Sequence, residues 1–302
     1  VDYGANGEAA LLEGSSAFKH DGWYYLMMIS MKWGEGGHLR REVCYRSRTL
    51  DNPKWEYKVI LETPFEEFGG VGQGCVVKGA DDEWSAIIFQ DRGGIGRVPC
   101  LMPVRWVDGW PMCGDEGGRV PSDPAAAFAS VSGIVSSDDF HCDKLSLAWQ
   151  WNHRPCDAAW SLSDRPGFLR LKTPRVTKNL FLAPNTLTQR MTGPKCSGVV
   201  KLDVSKMKNG DYAGLAAFNQ DAGVLAVACE DGEKKIVLTE EHARFGEGRR
   251  IANVESKALG EARLKGDELW LRVRADFEHG KDMCEFDWSE DGCEWRRIGK
   301  AV

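Results

Sequence analysis

Four side chains stand where they could take part in chemistry, and one of them is a carboxyl. Glu13 sits in Leu11-Leu12-Glu13-Gly14-Ser15-Ser16, apolar before and small after. Such a context suits a partly buried carboxyl, and burial is what keeps a carboxyl protonated for general-acid work near neutral pH. A plain turn glutamate fits the same local context, and on that context alone fits it better. Arg97 lies in Gly93-Gly94-Ile95-Gly96-Arg97-Val98-Pro99. A guanidinium there can aim its rigid fork of donors at the hydroxyls of a sugar; a surface arginine on a turn is the simpler alternative. Gln73 and Gln90 border strand-like runs. Each can hydrogen-bond a ligand or serve as a satisfied structural amide.

Other chemistries find no support. There is no Gly-x-Ser-x-Gly elbow in a strand–helix setting and no phosphate-binding loop ending in Gly-Lys-Ser/Thr. Gly69-Gly70-Val71-Gly72-Gln73-Gly74 looks like a dinucleotide fingerprint, but no helix follows it. The 6 histidines are scattered without metal-ligand spacing. No loop has an EF-hand ligand order, so no metal or other cofactor is assigned and a structural calcium is left open. The 10 cysteines contain no Cys-x-x-Cys pair. Several lie in apolar runs such as Ala226-Val227-Ala228-Cys229. They are expected mostly as buried free thiols, although the even count leaves disulfides open.

The elements that must position these residues read as strands. Gly22-Trp23-Tyr24-Tyr25-Leu26-Met27-Met28-Ile29 follows an Asp21-Gly22 turn signal. Arg41 to Ser47 alternates polar with apolar, as a half-buried strand does, and Trp55 to Leu61 alternates again. Cys75-Val76-Val77, Asp81-Asp82 and Trp84 to Phe89 repeat the order strand, turn, aromatic strand. The pattern alone divides evenly between propeller blades and an antiparallel sandwich. Gly114 to Asp138 breaks the rhythm and reads as a linker region. Beyond it, Leu145 to Trp149, Gly198 to Val204 and Leu269 to Arg274 read as strands, and Met283 to Trp295 as a hairpin. This part points to a β-sandwich.

Composition sets outer bounds. The chain has 302 residues, which allows one large or two ordinary domains. Its net charge of −6 argues against a nucleic-acid partner. Its apolar runs are far shorter than the roughly 18 residues of a membrane span. The 12 tryptophans and 34 glycines suit aromatic cores or sugar-stacking surfaces joined by many tight turns. Most of the tryptophans are expected in cores.

Taken in order, these segments resemble glycoside hydrolase family 43. Glu13-Gly14 with Phe18-Lys19 and Asp21 to Leu26 is similar to the family's general-acid segment and its next strand. Cys44-Tyr45-Arg46-Ser47, Gly70 to Gly74, Trp84 to Arg92, Gly96-Arg97 and Pro103 to Pro111 resemble the later part of the catalytic propeller. Leu147 to His153, Trp160-Ser161-Leu162, Arg165 to Leu171 and Thr186 to Arg190 resemble the accessory sandwich of the family's β-xylosidases.

The resemblance implies an all-β chain: the C-terminal blades of a five-bladed β-propeller over 1–122, a linker over 123–140, and a concanavalin-like β-sandwich over 141–302. It implies inverting hydrolysis of β-1,4-xylosidic or α-L-arabinofuranosidic bonds in xylan or xylo-oligosaccharides. Glu13 falls on the general acid, and Arg97 on an arginine that binds sugar hydroxyls. Gln73 and Gln90 stand where many members carry histidine, as substrate-binding positions. The family's general base and the aspartate that tunes the acid lie in blades before the acid segment, and Asp2 has the wrong context for either. The base is therefore expected on an N-terminal propeller portion, from the same gene or a separate chain. The partners implied are that portion and a xylan-derived oligosaccharide, with neither nucleic acid nor membrane. The substrate class favours an extracellular or periplasmic setting. The alternative is a non-catalytic carbohydrate-binding or propeller-completing subunit.

Overall fold

The computed structural model describes residues 11–34, 37–66, 68–116, 120, 133 and 135–302. The chain divides into two compact units, Val1–Val131 and Ser132–Val302. Most of the expected linker lies outside the described residues, and its described end, 135–140, carries no strand.

In the first unit, β1 (Leu12–His20), β2 (Trp23–Gly34), β3 (Gly37–Ser47) and β4 (Glu56–Pro64) form a four-stranded antiparallel meander. A second meander follows: β5 (Val71–Lys78), β6 (Trp84–Asp91), β7 (Arg97–Val107) and β8 (Trp110–Cys113). Trp23 and Trp84 each open the second strand of a sheet, so the recurrence in the sequence is a structural repeat. The first hairpin turns on Asp21-Gly22, with φ of 44° and 75°. A two-residue hairpin requires positive φ at both positions, which Asp-Gly supplies at little cost. Asp108-Gly109 does the same between β7 and β8.

One core joins the two sheets. Tyr25, Met27, Cys44, Ile60 and Leu61 from the first pack with Val71, Val76, Ala86, Ile88, Cys100 and Met102 from the second. Phe18 stacks on Tyr25 at 4.8 Å, and Trp84 meets Trp106 edge-on at 5.2 Å. The Tyr25 hydroxyl donates to the Gly109 carbonyl at 2.7 Å. Arg46 lies between the rings of Trp23 and Trp110, at 4.5 and 4.1 Å, and donates to the carbonyls of Asp108 and Gly109. The last hairpin is thereby tied to the first sheet by cation–π and hydrogen-bond contacts together.

β3 departs from the half-buried reading. Arg40 to Tyr45 is buried without alternation. Cys44 belongs to the core between the sheets, while Val43 and Tyr45 cluster with Met28 on the opposite face. With both faces covered, polarity no longer alternates with exposure.

In the second unit four short strands come first: β9 (Gln150–Trp151), β10 (Trp160–Ser161), β11 (Arg170–Leu171) and β12 (Leu187–Thr188). They pair as β9 with β12 and β10 with β11. Two larger sheets follow. β13 (Lys195–Asp203), β18 (Glu268–Asp276), β19 (Met283–Ser289) and β20 (Arg296–Arg297) form one. β14 (Tyr212–Ala217), β15 (Asp221–Glu230), β16 (Glu233–Phe245) and β17 (Ile251–Arg263) form the other. Phe286 of β19 packs against Gly223 of β15 with no room for a side chain between them. Leu225, Leu238, Leu269, Leu271 and Phe286 are all fully buried.

The fold departs from the sequence expectation at two further places. Leu145 to Trp149 is not a strand: it turns, Trp149 N–H donating to the Ser146 carbonyl, and Leu147 is fully exposed. The tryptophans are also less buried than expected. Trp110 and Trp288 are buried, while Trp23, Trp55, Trp84, Trp106, Trp149, Trp151, Trp160, Trp270 and Trp295 are half-buried. An indole is large enough to cap the edge of a core while keeping one rim in water. All ten cysteines carry free thiols.

Candidate active site

Three breaks of strand register define the site in the first unit. In β1, Glu13 pairs with Ile29 but Ser16 pairs with Met27, so one extra residue bulges out at Gly14. In β5, Val71 pairs with Gln90 but Gly74 pairs with Ile88, a bulge at Gln73. Between β3 and β4 the register shifts after Glu42. Bulges bend a strand and re-aim its side chains, and they are over-represented beside active sites.

The bulges bring their residues together. Gly14 has φ of 64°, a conformation other residues adopt only with strain. A Cβ at Gly14 would lie 2.2 Å from Cδ of Gln73, so the Gln73 side chain rests directly on the Gly14 backbone. Gln73 therefore rests against the residue that directly follows Glu13 in the chain. Glu13 itself is exposed, so of the two local readings the partly buried carboxyl does not hold. It lies on the first strand of its sheet, with only glycine and serine directly after it.

Glu42 escaped the sequence reading. It pairs with Ile29, which in turn pairs with Glu13, so the three residues form one row across the sheet. Glu42 has no solvent exposure. Its Oε2 accepts the backbone N–H of Gln73 at 2.6 Å, and Oε1 has no hydrogen-bond partner among the described residues. Burial pushes its carboxyl up to about 8, against the opposing pull of the Gln73 and Gly74 backbone N–H groups. Burial, and then the Glu42 charge, push the nearby Cys44 thiol up to about 12. The Cys113 thiol is raised by burial as well. The signal available in the sequence was three charged residues, Arg40-Arg41-Glu42, set directly against Val43-Cys44-Tyr45.

Gln90 and Arg97 lie on the next hairpin. Gln90 Oε1 accepts from Arg92 Nε at 2.8 Å. Arg97 stacks over Phe89 at 4.4 Å, and its Nε stands 3.4 Å from Asp91. The other oxygen of Asp91 accepts from Arg40 at 2.6 Å. Arg40 packs under Gly70 and Gly72, where an added Cβ would lie 2.6 and 2.7 Å from its side chain. Asp91 therefore links Arg97 to β3, while Arg97 remains more than half exposed. Among the described residues, no hydrogen bond or ion pair joins Glu13 to Gln90 or Arg97. No group of three or more His, Cys, Asp or Glu side chains among the described residues forms a metal-type cluster.

Comparison with known proteins assigns this architecture. The family profile for glycosyl hydrolases family 43 matches residues 3–111. The profile for the beta xylosidase C-terminal concanavalin A-like domain matches residues 137–302. The chain belongs to glycoside hydrolase family 43. In this family 43 chain, the two meanders are propeller blades and the second unit is the concanavalin-like sandwich.

A solved structure described as a bifunctional GH43-CE protein of Bacteroides eggerthii is 37% identical, with a TM-score of 0.86. That match covers 99% of this chain and 37% of the other. A solved GH43 enzyme engineered to display endo-xylanase and exo-arabinofuranosidase activity is 29% identical, with a TM-score of 0.79. It covers 96% of this chain and 58% of its own. A Xylanibacter ruminicola protein carrying a beta-xylosidase name is 31% identical over 97% of this chain and 52% of its own length. The family 43 chain spans about half the length of the curated relatives it matches.

Proposed function

We propose that this chain is the C-terminal portion of an inverting glycosidase that cleaves β-1,4-xylosidic or α-L-arabinofuranosidic bonds in xylan or xylo-oligosaccharides. The observation that carries the proposal is the contact of Gln73 with Gly14. It holds an amide against the backbone next to Glu13, an exposed carboxyl, with the arginine-bearing β6–β7 hairpin on the same blade as the amide. Glu13 is the general acid that protonates the leaving glycosidic oxygen. Arg97, Gln73 and Gln90 bind sugar hydroxyls; amides and a guanidinium supply directed donors without taking up the proton. Inversion needs a second carboxyl to activate water on the opposite face of the sugar, roughly 6.5–9.5 Å from the first. That base is assigned to a preceding propeller portion, in keeping with a chain half the length of its relatives.

The test combines this chain with the preceding propeller portion and assays aryl xylosides and aryl arabinofuranosides. Turnover that appears only in the mixture, with a first product of inverted anomeric configuration by ¹H NMR, is expected. Full turnover by the chain alone would overturn the assignment of the base.

A second reading is a non-catalytic carbohydrate-binding or propeller-completing subunit. It draws on Val77 and Ile87, which are exposed on one face of β5 and β6 and suit a covering partner. Calorimetry against xylo-oligosaccharides and sedimentation of the lone chain separate the two: binding without turnover in any mixture favours the second.

A further inference from the structure

A carboxyl with no solvent exposure is costly in an apolar core, because its charged form loses hydration and even its neutral form needs partners. Leucine would fill the same space between two sheets without that cost. Glu42 stands there nonetheless, with one oxygen on the Gln73 N–H and the other unpartnered among the described residues. Gln73 is itself in a disfavoured state. Its φ is 68°, a left-handed conformation that side chains avoid and that its neighbours Gly72 and Gly74 would adopt freely. Such a residue persists only where its surroundings over-determine it. Its side chain then lands on Gly14, at a spot where even a methyl group would clash. The register breaks at Glu13, Glu42 and Gln73 meet around this contact.

We propose that Glu42 is a positioning residue for the site. It locks Gln73 in its left-handed conformation, so that the Gln73 side chain braces the Gly14 bulge and sets the direction of Glu13. The catalytic consequence rests on the reading of Glu13 as the general acid; the coupling of Glu42 to Gln73 and Gly14 does not. Glu42 touches no substrate in this role and acts only through Gln73.

The structural part is tested on the chain alone. The sequence holds 5 glutamines, so a sample labelled with ¹⁵N-glutamine gives a sparse amide spectrum in which Gln73 is assigned by Gln73→Asn. Glu42→Leu keeps the bulk and removes the acceptor. Its Gln73 amide is expected to shift upfield and to exchange with solvent at least about 10-fold faster, since a lost hydrogen bond opens local structure. Glu42→Gln keeps a carbonyl acceptor and is expected to retain most of the protection. An unchanged Gln73 amide in Glu42→Leu overturns the proposal.

The catalytic part is tested in the mixture with the preceding propeller portion. Glu42→Leu is expected to lower kcat by about 10²-fold, the cost of misplacing a reacting group by about 1 Å, with much less change in KM. Glu42→Gln is expected to restore most of that loss. Should Glu42→Leu fail to fold, Gly14→Ala keeps Glu42, displaces Gln73 from its seat and is expected to give the same split between kcat and KM. A released Gln73 with undiminished kcat overturns the positioning role. An active Glu13→Gln mixture refutes the general-acid reading and the catalytic part with it, while the Gln73 amide data still decide the structural part.

Discussion

The backbone N–H of Gln73 donates to Oε2 of Glu42 across 2.6 Å, joining the first strand of one blade to the third strand of its neighbour. This bond runs between sheets, where most contacts are apolar. It joins β3 to the bulge of β5, whose Gln73 side chain rests on Gly14 in the bulge of β1.

Glu13→Gln removes the proposed acid without changing its size. In the mixture with the preceding propeller portion, kcat/KM on alkyl glycosides, whose leaving groups need protonation, is expected to fall by about 10²–10⁴-fold. Aryl glycosides with acidic phenols need less help and are expected to lose less. Equal losses on both substrate types would count against a general-acid role.

Stability is expected to fall as pH rises from about 5 to about 8. The Glu42 carboxyl is raised to about 8 in the folded chain, from an ordinary value of 4.5. The folded state therefore holds a proton that the unfolded state has already released, and stability is lost as pH rises through that window. The effect is at most on the order of a few kcal/mol. Urea titrations of wild type and Glu42→Gln at pH 5, 6, 7 and 8 check it. The variant should show a flatter profile, and parallel profiles would remove Glu42 as the source.

Tyr25→Phe keeps the stacked ring and removes only the hydroxyl that donates to Gly109. A loss of about 1 kcal/mol is expected, plus the cost of a carbonyl left to Arg46 alone. Chemical denaturation monitored by tryptophan fluorescence measures it.

In the sandwich, Asp287 is a buried carboxylate held by Arg272, Arg274 and Arg297 at 3.1, 3.1 and 3.0 Å. Burial pushes its pKa up, but the hydrogen bonds from Arg297, Arg274 and Arg272 outweigh burial and hold it below the ordinary value. Its stabilisation is present above the ordinary carboxylate range and is lost as pH falls through the lowered value. Asp287→Asn is expected to cost about 2–3 kcal/mol at pH 7, at or below the usual range for a broken buried pair because the arginines are partly exposed. Thermal melts at pH 7 and pH 3 should show the gap between variant and wild type narrowing in acid.

The parts legible from sequence were those with a local signature. Asp21-Gly22 names its own turn, because only residues tolerant of positive φ can occupy it. The strands from Trp23 and from Trp84 announced themselves by aromatic and β-branched runs. The sheet of β14 to β17 went unread because β15 is buried from Ala222 to Cys229, giving a continuous apolar run without a period of two. One flank of that run carries Ala222, Val224 and Ala226 under Phe181, a residue far away in sequence. Leu145 to Trp149 carried the alternation of a strand, yet among the described residues no partner strand meets it and it forms a turn. A half-pattern is a strand only where a neighbour supplies the ladder.

The sequence by itself determined the strand-rich class and the aromatic hairpins, since these follow from residue types at fixed short spacing, and its segments taken in order carried the resemblance to the family. Side-chain chemistry made Glu13, Gln73, Gln90 and Arg97 candidates, and the family resemblance gave them their expected roles. Only the tertiary structure seated Gln73 on Gly14, exposed Glu13 and linked Arg97 to Arg40 through Asp91. It also turned Glu42 inward. The reason is physical: a single extra residue in a strand reverses which way the following side chains point. Its effect on distant partners is set by how the sheets stack, which no local spacing encodes.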